Sequence, residues 1–177
     1  PIGCSTSSGG SLNHQFPNVT VAPDGTLLET WSNDTNVSGA FSRDHGTTWT
    51  CTGVLSTNTR QAIEPWAVAG ASGVDLVYYG TTDAPGPNQT WYVYFTQLSS
   101  GSASTPQRVV AVHKGTVCEG GVSCTGGRQL LDDFGVDTDQ AGYAHIAYSH
   151  DAPALGGAGS YTGYAVQTSG TTIGAPN

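Results

Sequence analysis

Along this chain, short runs of β-branched and aromatic residues alternate with polar positions, and clusters of Gly, Pro, Asn and Asp divide them. Period-two runs bounded by turn residues predict strands, and no segment carries a convincing 3.6-residue apolar period. One unit recurs three times. The first copy runs out along Phe16–Val21, turns at Ala22-Pro23-Asp24-Gly25 and returns along Thr26–Trp31. The second uses Pro65–Ala69, turns at Ala71-Ser72-Gly73 and returns along Val74–Tyr79. The third uses Phe134–Asp137, turns at Gln140-Ala141-Gly142 and returns along Tyr143–Tyr148. In each copy an aromatic residue stands at the same distance beyond the turn glycine: Trp31, Tyr79 and Tyr148. A fixed offset of this kind is the mark of an internal repeat. Third strands are predicted over Val37–Ser42, Trp91–Thr96 and Tyr161–Thr168, and fourth strands over Thr48–Leu55 and Arg108–His113. The units occupy residues 14–59, 60–116 and 128–177, with an insert over 117–127. Residues 1–13 are Gly- and Ser-rich and read as a linker or an outer strand of a preceding unit.

The turn between the third and fourth strands of the first unit is Ser42-Arg43-Asp44-His45-Gly46-Thr47-Thr48-Trp49. Asp44 is placed to accept hydrogen bonds from the turn's backbone N–H groups. Gly46 suits a left-handed backbone position, and Trp49 folds back as an apolar plug. This S-x-D-x-G-x-x-W pattern, with the repeat, resembles the Asp box of the sialidase-like, or BNR-repeat, β-propeller family. The resemblance extends from Phe16 to Thr168. Only the first unit carries the full box: the second keeps Phe95-Thr96 and then loses the Asp and Gly. The resemblance implies an all-β fold, a partial β-propeller of about two and two-thirds four-stranded blades, with the box (Ser42, Asp44, Gly46, Trp49) outside and away from the active face. Propellers of this family have six or more blades, so the remaining blades are expected from a longer polypeptide or from other copies of the chain. The segment Ser169–Gly174 looks too polar to cover a blade face.

Composition narrows the function. Charged residues make up 10% of the 177-residue chain and the net charge is −8, with Lys and Arg limited to Arg43, Arg60, Arg108, Lys114 and Arg128. No basic cluster exists, which excludes nucleic acid as an expected partner and disfavours an anionic membrane surface. No apolar run approaches the ~20 residues of a spanning helix. The chain begins at Pro1 and lacks Met, as expected of a processed or excised piece. Four cysteines allow three pairings. The short Gly-rich loop Cys118–Cys124 closes on itself, leaving Cys4 with Cys51. A zinc site competes, but no C-x-x-C pair is present. Two disulfides imply an oxidising compartment, hence a secreted or cell-surface protein. Sequons at Asn18, Asn33, Asn36 and Asn88 point the same way as candidate glycosylation sites.

In the family this chain resembles, the functional face is built from loops leading into the first strand and loops joining the second and third. His14, Arg60, Glu64 and Asp133 fall at such positions. A glycosidase requires two carboxyls flanking the scissile bond, and Glu64 with Asp133 is the candidate catalytic pair. Solvated carboxyls that only satisfy loop backbone are the plainer reading of both. A sialidase of this family also uses three arginines to clamp the substrate carboxylate, together with a Tyr nucleophile and its Glu partner. Here only Arg60 is well placed, and the family's Arg-Ile-Pro motif is absent. Trp66 and Trp91 are candidate sugar-stacking residues, Trp91 because it follows the long Thr82–Gln89 loop; aromatics at repeat positions are otherwise expected between blades. Asp137–Gly142 faintly resembles a calcium loop but lacks the later acidic ligands, so a plain turn is expected and no cofactor is assigned. The expected function is a non-catalytic extracellular module that binds glycan or protein, or serves as a structural unit of an extracellular assembly. The alternative is one part of a sialidase-type exo-glycosidase.

Overall fold

The computed structural model describes Cys4 and residues 16–118, 123–125, 130, 134–151 and 159–175. These residues form three antiparallel sheets. The first contains β1 (Asn18–Val21), β2 (Leu27–Ser32), β3 (Val37–Ser42) and β4 (Thr50–Val54) in sequence order. The second contains β5 (Gln61–Gly70), β6 (Gly73–Thr81), β7 (Thr90–Ser99) and β9 (Gln107–Lys114), with the two-residue β8 (Ser102–Ala103) on β7. The third contains β10 (Gly135–Thr138), β11 (Ala144–His150) and β12 (Tyr161–Val166). Strand positions agree with the repeat read from sequence; only β8 was missed. The second sheet is covered on both faces. Ala67, Ala69, Leu76, Tyr78 and Tyr94 pack toward Leu28 and Val37 of the first sheet. Ile63, Val77, Tyr79, Trp91 and Val93 pack toward Phe134, Val136, Ile146 and Tyr148 of the third.

The first strands of neighbouring sheets run parallel, as their contacts require. Asn18 Oδ1 accepts the N–H of Ala67 (2.9 Å), and two residues on, Thr20 Oγ1 accepts the N–H of Ala69 (2.9 Å). Side chains of β1 thereby satisfy the edge N–H groups that β5 does not pair with β6. The Ser42–Trp49 turn takes the geometry its residues dictate. Thr48 donates from its N–H to Asp44 Oδ1 (2.8 Å) and from its hydroxyl to Asp44 Oδ2 (2.6 Å). Gly46 has φ 84°, and the Trp49 indole donates to its carbonyl (3.0 Å). Both disulfides are present, Cys4–Cys51 and Cys118–Cys124, the first fixing residue 4 to β4.

The segment after β12 corrects one sequence expectation. Ile173 is buried; its carbonyl accepts from Ser72 and its N–H donates to Gly142, so the segment crosses the first hairpin turns of the second and third sheets. A Cβ on Gly70 would lie 2.5 Å from the Ile173 carbonyl, which is why a residue without a side chain stands there. The Asp137–Gly142 segment is a turn, with Asp139 Oδ1 accepting from Ala141 and Tyr143 N–H groups. Among the described residues, no helix is long and apolar enough to cross a membrane.

Candidate functional site

In an antiparallel meander, successive turns fall at opposite ends. The β2–β3 turn, the β6–β7 loop, the start of the β11–β12 connection and the lead-in to β5 therefore share one end of the sheets, opposite the Ser42–Trp49 turn. At this end the sheets are stitched together. Ser32 Oγ donates to the Ala62 carbonyl (2.6 Å) and Ala62 N–H donates to the Asp34 carbonyl (3.3 Å), joining the β2–β3 turn to β5. Gln89 Nε2 donates to Gln61 Oε1 (2.5 Å), holding the β6–β7 loop against the start of β5.

β5 is not a regular strand here. Its register with β6 shifts between Ile63 and Trp66, so Glu64 and Pro65 form a bulge. Glu64 adopts φ 52°, a left-handed conformation that costs a non-Gly residue free energy and persists only where surroundings enforce it. Its side chain is buried at 7% exposure, whereas Trp66 is 44% exposed. The bulge thus brings a covered carboxyl and an open indole side by side on the innermost strand. The position of Gly135 on β10 faces the indole Nε1 across the inter-sheet gap. Asp34, in the adjoining turn, is a second buried carboxyl (5% exposed) with left-handed backbone (φ 67°), set by its N–H donating to Ser32 Oγ (2.9 Å). Sequence reasoning saw Asp34 only as the middle of a sequon. The signal that marks it is the Asn33-Asp34 pair between two strands, since Asn and Asp tolerate the left-handed region.

Of the other sequence candidates, Arg60 is exposed at the lead-in to β5, its N–H donating to the Thr81 carbonyl (2.7 Å). His14 and Asp133 lie outside the described residues. Trp91 is corrected: it is fully buried in the core between the second and third sheets, and its Nε1 donates to the Gly115 carbonyl (3.2 Å). It follows the long loop in sequence, but β9 and Gly115 close over it. Asn33 is corrected as a glycan acceptor: it is 4% exposed, and its Oδ1 accepts the N–H groups of Thr35 and Asn36. Asn18 is half-buried and engaged with β5, Asn36 is half-buried, and Asn88 is exposed.

One buried pair was not anticipated. His113 Nδ1 and Asp151 Oδ2 are 2.6 Å apart, and Asp151 N–H donates to the Val112 carbonyl (3.0 Å). With the Tyr79 hydroxyl accepting the Ser149 N–H (2.9 Å), this pair ties the end of β11 to the second sheet. No spacing in the chain announces a contact between residues so distant in sequence. Among the described residues, no group of three or more His, Cys, Asp or Glu is arranged to hold a metal ion.

No family model matches the sequence. No curated protein matches it either. Solved structures do. The α-L-arabinofuranosidase Arb93A from Fusarium graminearum, bound to an iminosugar inhibitor, superimposes with TM-score 0.56 at 14% identity, covering 87% of this chain. A mutant of the same enzyme gives TM-score 0.55 at 14% identity, covering 90% of this chain. The chain is a partial β-propeller. It spans 45% of the length of each of those two chains. A xylan β-1,4-xylosidase from Bacillus halodurans C-125 is more distant, with TM-score 0.49 at 14% identity over 77% of this chain and 26% of its own.

Proposed function

We propose that this chain is part of an extracellular, carbohydrate-binding β-propeller whose sugar site lies at the β5 bulge. The observation that carries the reading is the pairing of covered Glu64 with open Trp66 on the innermost strand, at the end where three sheets converge. An exposed indole offers an apolar face to the C–H side of a sugar ring, and a neighbouring carboxyl accepts hydrogen bonds from its hydroxyls. The two disulfides support an oxidising, extracellular location. The eight-residue turn and the repeat support placing the chain among sialidase-like propellers. Pentose-containing oligosaccharides are the first ligands to try, because a structural neighbour of this fold is named an arabinofuranosidase. That choice rests on likeness of fold, which by itself does not fix chemistry.

A second reading makes the same mouth catalytic. Asp34 and Glu64, two buried carboxyls from adjacent sheets tied through Ala62, would supply the acid and base of a glycoside hydrolase completed by further blades. Calorimetric titration with arabino- and xylo-oligosaccharides tests both readings. Binding is expected, weakened roughly tenfold or more by Trp66→Ala with the thermal melt unchanged. Absence of binding to either panel, or binding indifferent to Trp66→Ala, refutes the site. Turnover of an aryl arabinofuranoside lost in Glu64→Gln, with binding kept, selects the catalytic reading.

A further inference from the structure

At the end of the sheets opposite the β5 bulge, a cavity of about 400 Å³ lies between the second and third sheets. That volume falls within the roughly 300–1,000 Å³ of small-molecule sites. Sheets packed to the density of a protein interior leave no such gap. Here the small Ala144 and Ala165, on β11 and β12, meet Phe95 and Val109 of β7 and β9. With Ile146 these side chains make an apolar floor, and half-buried Phe95 gives it an aromatic ring.

The rim is built from amides. Gln97 Nε2 donates to Oδ1 of the buried Asp75 (2.9 Å) and to the Thr171 carbonyl (2.9 Å). Both of its N–H bonds are thereby spent, and Oε1 is left as the acceptor on the cavity wall. Gln167 Nε2 donates to the Ser169 and Thr171 carbonyls (3.1 and 2.8 Å), which folds residues 168–171 into a lip. Gln107 pairs with Phe95 across β7 and β9, so it stands on the same face, exposed and at the cavity. Among the described residues no charged group faces this space. Arg108 adjoins it, but its guanidinium donates to the hydroxyls of Tyr94 (2.9 Å) and Thr82 (2.6 Å) and lies over the Tyr92 ring. Tyr94 packs toward the first sheet, so that charge is drawn to the other face.

We propose that this cavity is a second binding site, shaped for one neutral sugar ring. An aromatic floor takes the C–H face of such a ring, and amides take its hydroxyls. Gln97 Oε1 accepts from one hydroxyl, while the Gln107 amide donates to and accepts from a vicinal pair. The Asp75 and Thr171 contacts fix the Gln97 amide before any ligand arrives, so little freedom is lost on binding. A carboxylate or ammonium group would lose hydration here and meet no opposite charge. The site uses none of the residues at the β5 bulge and does not depend on what the mouth binds.

Nuclear magnetic resonance titration of the isotope-labelled 177-residue chain tests it. The chain carries Trp66→Ala, which removes the exposed indole of the mouth. The probes are methyl glycosides of arabinose, xylose, galactose, glucose and mannose, with glucuronate, glucosamine and cyclohexanol as controls. At least one neutral glycoside should shift the side-chain amide signals of Gln97 and Gln107 saturably, and the controls should not. Gln107→Ala removes the free amide, and Val109→Trp fills the cavity. Each should raise the dissociation constant roughly tenfold or more. Both side chains are exposed, so the thermal melt should stay as it was. Failure of every neutral glycoside to bind overturns the proposal, as does binding indifferent to either substitution. Equal binding of a charged sugar or of cyclohexanol also overturns it, because the cleft would then not be reading neutral hydroxyls. In the wild-type chain the Trp66 indole signal reports the mouth separately, so either site can fail without the other.

Discussion

The two disulfides close loops of very different length, and their stabilising effects should differ accordingly. Cys4 and Cys51 are separated by 47 residues, Cys118 and Cys124 by 6. A cross-link stabilises chiefly by removing conformations from the unfolded chain, with an entropy that grows as the logarithm of loop length. At 25 °C that relation assigns about 4 kcal/mol to the long loop and about 2 kcal/mol to the short one. For a chain of this size a kilocalorie corresponds to about 2–4 °C in melting temperature, so losing the long loop should lower it by about 8–16 °C. The perturbation is paired replacement, Cys4→Ser with Cys51→Ser in one variant and Cys118→Ser with Cys124→Ser in another. Urea titration followed by fluorescence of the four tryptophans gives both free energies and the slope of each transition. The first variant should be the less stable, with a larger slope because its unfolded state expands further. Equal costs, or a greater cost for the short loop, would refute the reasoning. They would mean that the Cys4 tether acts through native contacts or that the unfolded chain is already constrained.

Asp44→Ala removes the acceptor of the Thr48 N–H, the Thr48 hydroxyl and the Ser42 hydroxyl, so the melting temperature should fall while oligosaccharide affinity, measured by calorimetry, stays unchanged. Those same hydrogen bonds, the Thr48 hydroxyl first, hold the Asp44 carboxyl down to about 2. The stability it contributes is therefore present above pH 4 or so and is lost as pH falls through about 2; acid titration of Asp44→Ala should lack that step. Asp75 is the opposite case. Burial pushes its carboxyl up to about 6, partly offset by Gln97 Nε2 donating to Oδ1 (2.9 Å). The folded chain then keeps a proton that the unfolded chain releases, so stability falls as pH rises from about 4 through 6. Asp75→Asn should remove this slope and gain roughly 2–3 kcal/mol above pH 7, read by urea titration across pH; an unchanged slope refutes the assignment.

The strands were legible because most are short runs rich in β-branched and aromatic residues and are divided by Gly, Pro, Asn and Asp clusters. β3 coincides with its predicted span, and Gly46 takes the left-handed backbone its place requires. The cysteine pairing was legible because a short loop between two cysteines leaves one alternative. The mouth was only half legible. Glu64 and Trp66 were singled out from the repeat, but the bulge that buries one and opens the other is a property of how β5 meets two neighbours at once. Nothing in Gln61–Gly70 alone reports it. Trp91 and Asn33 failed because each was read from its local sequence alone: Trp91 follows a long loop, and Asn33 heads a sequon. Hydrogen bonds to Gly115 for the one, and from Thr35 and Asn36 for the other, hold both inside. Ile173 failed because one apolar residue among polar neighbours carries no period, although a single side chain suffices to fill the gap above Gly70.

The bonds from Asn18 and Thr20 to β5 bear on how any carbohydrate attached to this protein would be mapped. A glycosylation sequon places its Asn and Thr two residues apart, and that is also the spacing at which side chains of one strand meet successive edge N–H groups of a parallel neighbour. Asn18-Val19-Thr20 is thus at once an oligosaccharyltransferase recognition sequence and an inter-sheet clasp. The customary knock-outs, Asn to Gln or Thr to Ala, would break the clasp and lower stability even in a host that adds no sugar. Asn18→Asp deletes the acceptor nitrogen and keeps the oxygen that Ala67 uses, while Thr20→Ser preserves both sequon and hydroxyl. Comparing those two substitutions separates loss of a glycan from loss of a seam between sheets, a distinction that a mobility shift on a gel would otherwise conceal.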